Sequence, residues 1–177
     1  MAKKDKTISF IERMEMDNLD PDWNIPCEFP DLTGYKEIAV DLETRDPNLT
    51  TLGPGWARGD GNIVGIAVAA GDYSGYFPIR HQNGHNLDPK VTLRWFKKQM
   101  ATPRIDKIMH NATYDAGWLY AEGIEVQGRI IDTMVAAPLI DENRFSYSLN
   151  NLGRDWIDMR KNEKMLRAAA KDFGFDP

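Results

Sequence analysis

The sequence predicts an α/β protein: a mixed five-stranded sheet flanked by helices. Three observations predict it. Three strand-like apolar segments follow one another closely between Glu37 and Ile79. From Pro89 onward the pattern becomes helix–strand–helix–strand–helix. The connections are short, which suits one domain better than two.

Each element has its own signal. Residues 1–30 mix charges of both signs and collect Pro21, Pro26 and Pro30, so they read as a leader packing on a domain of residues 31–177. A short helix is expected around Ile8–Met14. Ile38-Ala39-Val40 is an apolar run meeting Asp41-Leu42-Glu43, a buried strand whose end carries acids. Residues 45–61 are rich in Gly, Pro, Asn and Thr and predict a long loop. Asn62–Ala70 and Gly75–Ile79 predict a second and a third strand around a turn at Gly71-Asp72. Asp88 before Pro89 marks a helix N-cap and its first position. That helix carries Val91, Trp95, Phe96 and Met100 at core spacing. Ile105–His110 predicts the fourth strand, and a helix from about Ala112 to Glu122 ends at Gly123. Gly128–Ile131 predicts the fifth strand, meeting the capping pair Asp132-Thr133. Helices are expected over roughly Thr133–Ile140, Ser148–Ile157 and Asn162–Phe173.

Composition narrows the classes of function. The 177 residues include five Trp, seven Phe and six Tyr, enough aromatic mass for a packed core rather than a disordered chain. No run of about 18 apolar residues occurs, so no membrane span is predicted. Met-Ala-Lys-Lys-Asp-Lys has no apolar stretch behind it, which speaks against a secretory signal and for a cytoplasmic setting. A single cysteine, Cys27, excludes an internal disulfide framework and a Cys-rich zinc site. Lys and Arg total 22 against 27 Asp and Glu, a formal net charge of −5. Bulk charge therefore argues against nucleic-acid binding, but not against nucleic acid held through bound cations.

The acids carry the chemistry. Asp41 and Glu43 stand two apart on a strand, so both side chains leave on the same side. Two converging carboxylates repel unless a cation, a proton or a basic group intervenes. An oxygen-only cluster suits Mg²⁺ or Mn²⁺. The plainer alternative is a solvated strand end. Asp115 lies in the first turn of its helix, with Trp118 and Leu119 three and four positions later. Its face is therefore also the core face, where a carboxylate needs a partner or a metal. The alternative for Asp115 is an acid that complements the helix dipole.

Val40-Asp41-Leu42-Glu43-Thr44 resembles the first exonuclease motif of the DEDD 3′→5′ exonucleases, and His110-Asn111-Ala112-Thr113-Tyr114-Asp115 resembles the second. Ile131–Met134 and Ser146–Leu152 resemble stretches between the second and third motifs in proofreading domains of family A DNA polymerases. The segment Asp46–Gly61 resembles bacteriophage members in particular. The resemblance runs from about residue 23 to residue 177. It implies a ribonuclease-H-like sheet whose second strand is antiparallel to the rest. It also implies two-metal hydrolysis of the terminal phosphodiester at a DNA 3′ end, with two Mg²⁺ or Mn²⁺ ions about 4 Å apart. Asp41 would bridge both ions, Glu43 would join it at one, and Asp115 would hold the other. Asn111, Leu42 and Thr44 would lie against the substrate. The implied partners are a single-stranded DNA 3′ end and a polymerase, in the cytoplasm of an infected host for a phage-encoded chain.

The third motif of that family is Tyr-x-x-x-Asp or a His-led equivalent. No Tyr or His in this sequence has Asp at the fourth following position. Lys171–Pro177 resembles the approach to that motif. The implied active site is therefore expected to need a downstream segment or a separate polymerase chain carrying the third motif, and the chain alone is expected to be a weak nuclease. Asp172 and Asp176 are poor substitutes in a terminal tail. Two rival functions follow: a non-catalytic exonuclease-like module that binds a polymerase or single-stranded DNA, and a ribonuclease of the same fold.

Lesser features read as structural. Trp56 is expected to pin its own loop, the alternative being base stacking, with Arg58 on phosphate. Lys97, Lys98, Arg160, Lys161 and Lys164 read as solvated helix faces. His81, His85 and His110 lack zinc-site company, and His110 is expected to pack at the strand end. Asp132 reads as a helix cap.

Overall fold

The first strand, β1 (Glu37–Arg45), alternates as a half-buried strand must. Ile38, Val40 and Leu42 are buried, while Ala39, Asp41 and Glu43 face outward. A computed structural model describes residues 24–82, 85–159 and 171. Two compact units divide the chain. Ile25–Leu149 forms one, and Met1–Asn24 with Asn150–Pro177 forms the other. The expected helices at Ile8–Met14 and Asn162–Phe173 fall outside the described residues, as do Arg160, Lys161, Lys164, Asp172 and Asp176.

The larger unit holds β1, β2 (Asn62–Ala70), β3 (Tyr73–Pro78), β4 (Asp106–Met109) and β5 (Ile130–Asp132) in one sheet of order β3-β2-β1-β4-β5. β2 is antiparallel to both β1 and β3, whereas β4 pairs parallel with β1 and β5 parallel with β4. The second strand thus runs against all the others, as the resemblance implies. Between β1 and β2 lie a single helical turn α1 (Leu49–Leu52) and a 3₁₀ turn (Gly55–Arg58). α2 (Pro89–Met100) joins β3 to β4, α3 (Ala112–Ala121) joins β4 to β5, and α4 (Thr133–Ile140) follows β5. α5 (Leu149–Ile157) comes next, with Leu152 buried.

The core is apolar and continuous. Ile38, Val40, Leu42, Ile66, Val68 and Phe77 from the sheet join Phe96 and Met100 of α2 and Trp118 and Leu119 of α3. Phe29, Phe77 and Trp95 form an aromatic stack, with Phe77 and Trp95 centroids 4.5 Å apart. Trp95 Nε1 donates to Pro30 O at 2.7 Å, so the segment entering the domain is fastened to α2. Lys107, in the middle of β4, is fully buried. Its ammonium donates to the carbonyls of Ile105 (2.9 Å), Gln127 (2.6 Å) and Thr102 (2.5 Å), which satisfies all three of its donors.

Several expectations change in detail. The segment 45–61 is not a plain loop. β1 extends to Arg45 because Thr44 and Arg45 pair with Ile63 and Asn62 beyond a bulge. Arg58 donates to the carbonyls of Leu52, Gly53 and Pro54, and so ties α1 to the 3₁₀ turn. Val91 is exposed rather than buried. The buried residues of α2 are Thr92, Phe96, Gln99 and Met100, with Trp95 half-buried, so the expected Phe96 and Met100 hold while Thr92 takes the inner place expected of Val91. β5 begins at Ile130, not Gly128. Gly128 has φ +87°, and a β-carbon there would stand 2.5 Å from Pro103 O.

Trp56 packs on Gly117 of α3, so it pins its own loop as expected. A β-carbon at Gly117 would lie 2.4 Å from the indole. Gly→Ala in a helix ordinarily stabilises, but here it collides. Gly117→Ala is expected to lower Tm by roughly 2–8 °C in a thermal melt, as overpacking outweighs helix propensity. An unchanged or raised Tm would mean that the Trp56 loop yields freely.

Candidate active site

β1 supplies two carboxylates on one face. Asp41 and Glu43 both face outward, and their cross-strand partners on β2 are Ala67 and Gly65. β4 stops at Met109, short of the end of β1. The edge of β1 beyond that point has no strand beside it. Asp115 fills the gap, accepting a hydrogen bond from the backbone N–H of Leu42.

The turn into α3 places Asp115 there. Asn111 adopts the left-handed conformation, φ +68° and ψ +52°, which Asn tolerates better than most residues. Its side chain makes no cap hydrogen bond. The exposed donors of the first turn go instead to Asp132, at the end of β5. Asp132 accepts from the N–H groups of Asn111 (3.0 Å), Ala112 (2.8 Å) and Met134 (2.9 Å). It caps α4, as expected, and also fastens the start of α3. Burial alone would push its carboxyl up, but the N–H groups of Ala112, Met134, Asn111 and Val135 outweigh this and hold it below the ordinary value. His110 packs at the strand end, its Nδ1 2.9 Å from Thr133 Oγ1.

Asp115 is 3% exposed. Burial first, then the charge of Asp41, and more weakly Asp132 and Glu43, push its carboxyl up from the ordinary 3.8 to about 7. The Leu42 N–H pulls the other way without winning. The structure thus couples Asp41, Glu43 and Asp115 in one acidic field.

The side chains around them have definite tasks. The Leu42 side chain belongs to the core, and the group it turns toward Asp115 is its main chain. Thr44 Oγ1 lies 2.8 Å from Tyr114 Oη, and that hydroxyl donates to Asp46 Oδ2 at 3.1 Å. Asp46 Oδ2 also accepts from Gly55 N at 3.0 Å. Trp56 and Arg58 are spent on loop structure rather than held toward the acids. Tyr76 carries no motif in the sequence that marks it for this place. Burial, then the charge of Glu43, push its phenol up to about 12, and its hydroxyl meets His81 Nε2 at 2.6 Å.

Whether these residues fit divalent ions is a question of charge and donor type. All the donors are hard oxygens, which suits Mg²⁺ or Mn²⁺. The charged groups acting on buried Asp115 (Asp41, Asp132 and Glu43) are all acidic. A cation close by would therefore favour its ionised form. Among the described residues, no three His, Cys, Asp or Glu side chains converge as a ready-made cage. The acids fit divalent ions in chemistry and charge, and they stand apart without them.

A sheet of this order, with one strand reversed and helices flanking it, is a ribonuclease-H-like fold. Residues 29–172 match the family described as 3′-5′ exonuclease. The chain is 37% identical over 176 residues to a DNA-directed DNA polymerase of Pseudomonas phage M6, covering 96% of this chain and 26% of the phage protein. It is 30% identical over 148 residues to DNA polymerase DpoZ of Salmonella phage PMBT28, covering 82% of this chain and 21% of that protein. Among solved structures, Brucella melitensis NrnC with bound Mg²⁺ superposes with TM-score 0.55 at 20% identity, covering 80% of this chain and 62% of that one. Escherichia coli RNase D gives TM-score 0.56 at 14% identity, covering 80% and 36%. These structures share the fold. The chain belongs to the 3′-5′ exonuclease family. It spans about a quarter of the length of the phage polymerases it matches.

The raised carboxyl of Asp115 has a stability consequence with a definite sign. An acid whose folded value lies above its unfolded value stabilises the fold below about 4, and that contribution is lost as pH rises through about 7. In metal-free protein, Asp115→Asn keeps an acceptor for Leu42 N–H and removes the buried charge. Thermal melts in chelator are expected to show Tm raised by roughly 4–8 °C at pH 8, with no gain at pH 4. Equal effects at both pH values would refute the electrostatic account.

Proposed function

We propose that the chain is the 3′→5′ proofreading portion of a phage-type family A DNA polymerase. It hydrolyses the terminal phosphodiester of a single-stranded DNA 3′ end, with two Mg²⁺ or Mn²⁺ ions held by Asp41, Glu43 and Asp115. One observation carries this reading. A buried carboxylate shares an acidic field with two more on the adjacent strand, in a chain of the 3′-5′ exonuclease family. Divalent ions bound there would neutralise the phosphate and lower the pKa of a water molecule.

The residues themselves do the holding and aligning. Asp41 and Glu43 offer oxygens from one strand face, and Leu42 N–H orients the third carboxylate toward them. Asn111, Thr44 and the main chain of Leu42 line the approach for the terminal nucleotide. The formal charge of −5 is no obstacle, because the phosphate meets the cations rather than the protein surface.

The test is 3′-end release from 5′-labelled single-stranded DNA and RNA, in Mg²⁺, Mn²⁺ and chelator. It is run on the chain alone and with the polymerase portion of a relative. Metal-dependent release from DNA is expected, strongest with the polymerase portion present, and Asp41→Ala is expected to abolish it. Full activity of Asp41→Ala would remove the metal assignment. Faster release from RNA would turn the reading toward a ribonuclease.

A second reading, a module held by a polymerase, has an observation of its own. Val135, Leu139 and Ile140 of α4 and the nearby Phe145 are all exposed. Such side chains together favour contact with another apolar surface. Leu139→Glu is expected to weaken association with the polymerase portion at least ~10-fold in sedimentation or titration, a loss of about 1.4 kcal/mol. Unchanged association would count against this face as the contact.

A further inference from the structure

The Glu43 side of the site holds a side chain that the two-ion reading leaves unused. β3 runs in the direction of β1, so the loop after it opens at the same end of the sheet as Glu43. Tyr76 pairs with Ala67, and Ala67 with Asp41, so the three side chains leave from one face. From there the Tyr76 ring reaches across β2 and lies over Gly65, the cross-strand partner of Glu43. A β-carbon at Gly65 would stand 1.9 Å from the phenol oxygen, so a glycine at this point is what admits the ring.

The phenol is also held from behind. Its oxygen lies 2.6 Å from His81 Nε2. The main chain of His81 is clamped in turn by Asn86, with His81 N donating to Oδ1 at 2.8 Å and Nδ2 donating to His81 O at 2.9 Å. The phenol also feels the charge of Glu43, whose cross-strand partner Gly65 the ring covers. The arrangement therefore runs from Asn86 through His81 and Tyr76 to Glu43.

We propose that Tyr76, buttressed by His81, is a positioning residue for Glu43: it holds that carboxylate in the orientation in which it ligates a divalent ion. The proposal rests on the two-ion reading. Glu43 is exposed and long, and its rotamers need a restraint if its oxygens are to wait for an ion. Ligating carboxylates are commonly held by such outer partners. The hydrogen-bond direction follows. With His81 Nε2–H donating to the phenol oxygen, the phenol hydrogen turns to the Glu43 side. With the other tautomer it would be consumed by His81.

The probe is Mn²⁺ alone, its affinity measured by electron paramagnetic resonance of the free ion. The proteins are the wild-type chain, Tyr76→Phe, Glu43→Gln and the double variant. Tyr76→Phe is expected to weaken Mn²⁺ binding roughly 10-fold, and to weaken it no further on top of Glu43→Gln. Binding of Tyr76→Phe at the wild-type level overturns the proposal, as does an equal loss in both backgrounds. Absence of Mn²⁺ binding by the wild type would bring down the two-ion reading and the Tyr76 role with it, whereas an unchanged Tyr76→Phe brings down the Tyr76 role alone. His81 is exposed, so its variants test the same chain without touching the core. His81→Ala is expected to lose affinity, and His81→Gln, which keeps a side-chain N–H, to retain it. Should Tyr76→Phe fail to fold, a wild-type affinity in His81→Ala overturns the proposal.

Discussion

The site depends on a difference in strand length. β4 ends at Met109, while β1 runs on to Arg45. That leaves the N–H of Leu42 without a strand to receive it, and an unpaired backbone donor in a buried place is costly. The Asp115 carboxyl stands against that donor, and the helix after β4 thereby places a buried third acid within the electrostatic reach of the two on β1. The cost appears as a carboxyl that resists ionisation, pushed up by burial and by the charge of Asp41.

The protein is acidic overall and still belongs to a nuclease family. Three of its cations are committed elsewhere. Lys107 is enclosed by carbonyls, Arg58 by the carbonyls of its own loop, and Arg80 pairs with Glu122. The acids near the site have N–H donors or one another for company.

Much of this was legible beforehand, for identifiable reasons. Strand alternation placed Asp41 and Glu43 on one side, and helical spacing put Asp115 on the face of Trp118 and Leu119. Both inferences use local periodicity, which a single chain displays. The details that escaped depend on pairing or on single turns. α1 and the 3₁₀ turn are too short to show a period. Val91 is outside and Thr92 inside, because the packing of α2 on the sheet rather than residue polarity decides which of two neighbours turns inward. Tyr76 lies over the partner of Glu43 only through the register that aligns Gly65 with Glu43 and Ala67 with Tyr76, and register cannot be read from spacing in one segment. Asp132 was recognised as a cap, but its bonds to Asn111 and Ala112 span some twenty residues and carry no local sign.

Tyr114 and Asp115 are neighbours on the first turn of α3. The hydroxyl of Tyr114 is bound to Thr44 and Asp46, and Asp46 holds the 3₁₀ turn through Gly55. Trp56 of that turn is seated on Gly117 of the same helix. The segment between β1 and β2 is thus bolted to α3 on both sides of Asp115. Loosening that segment and displacing the carboxylate become a single mechanical event. The solvent protection of a surface turn is then a gauge of how well the buried acid is placed.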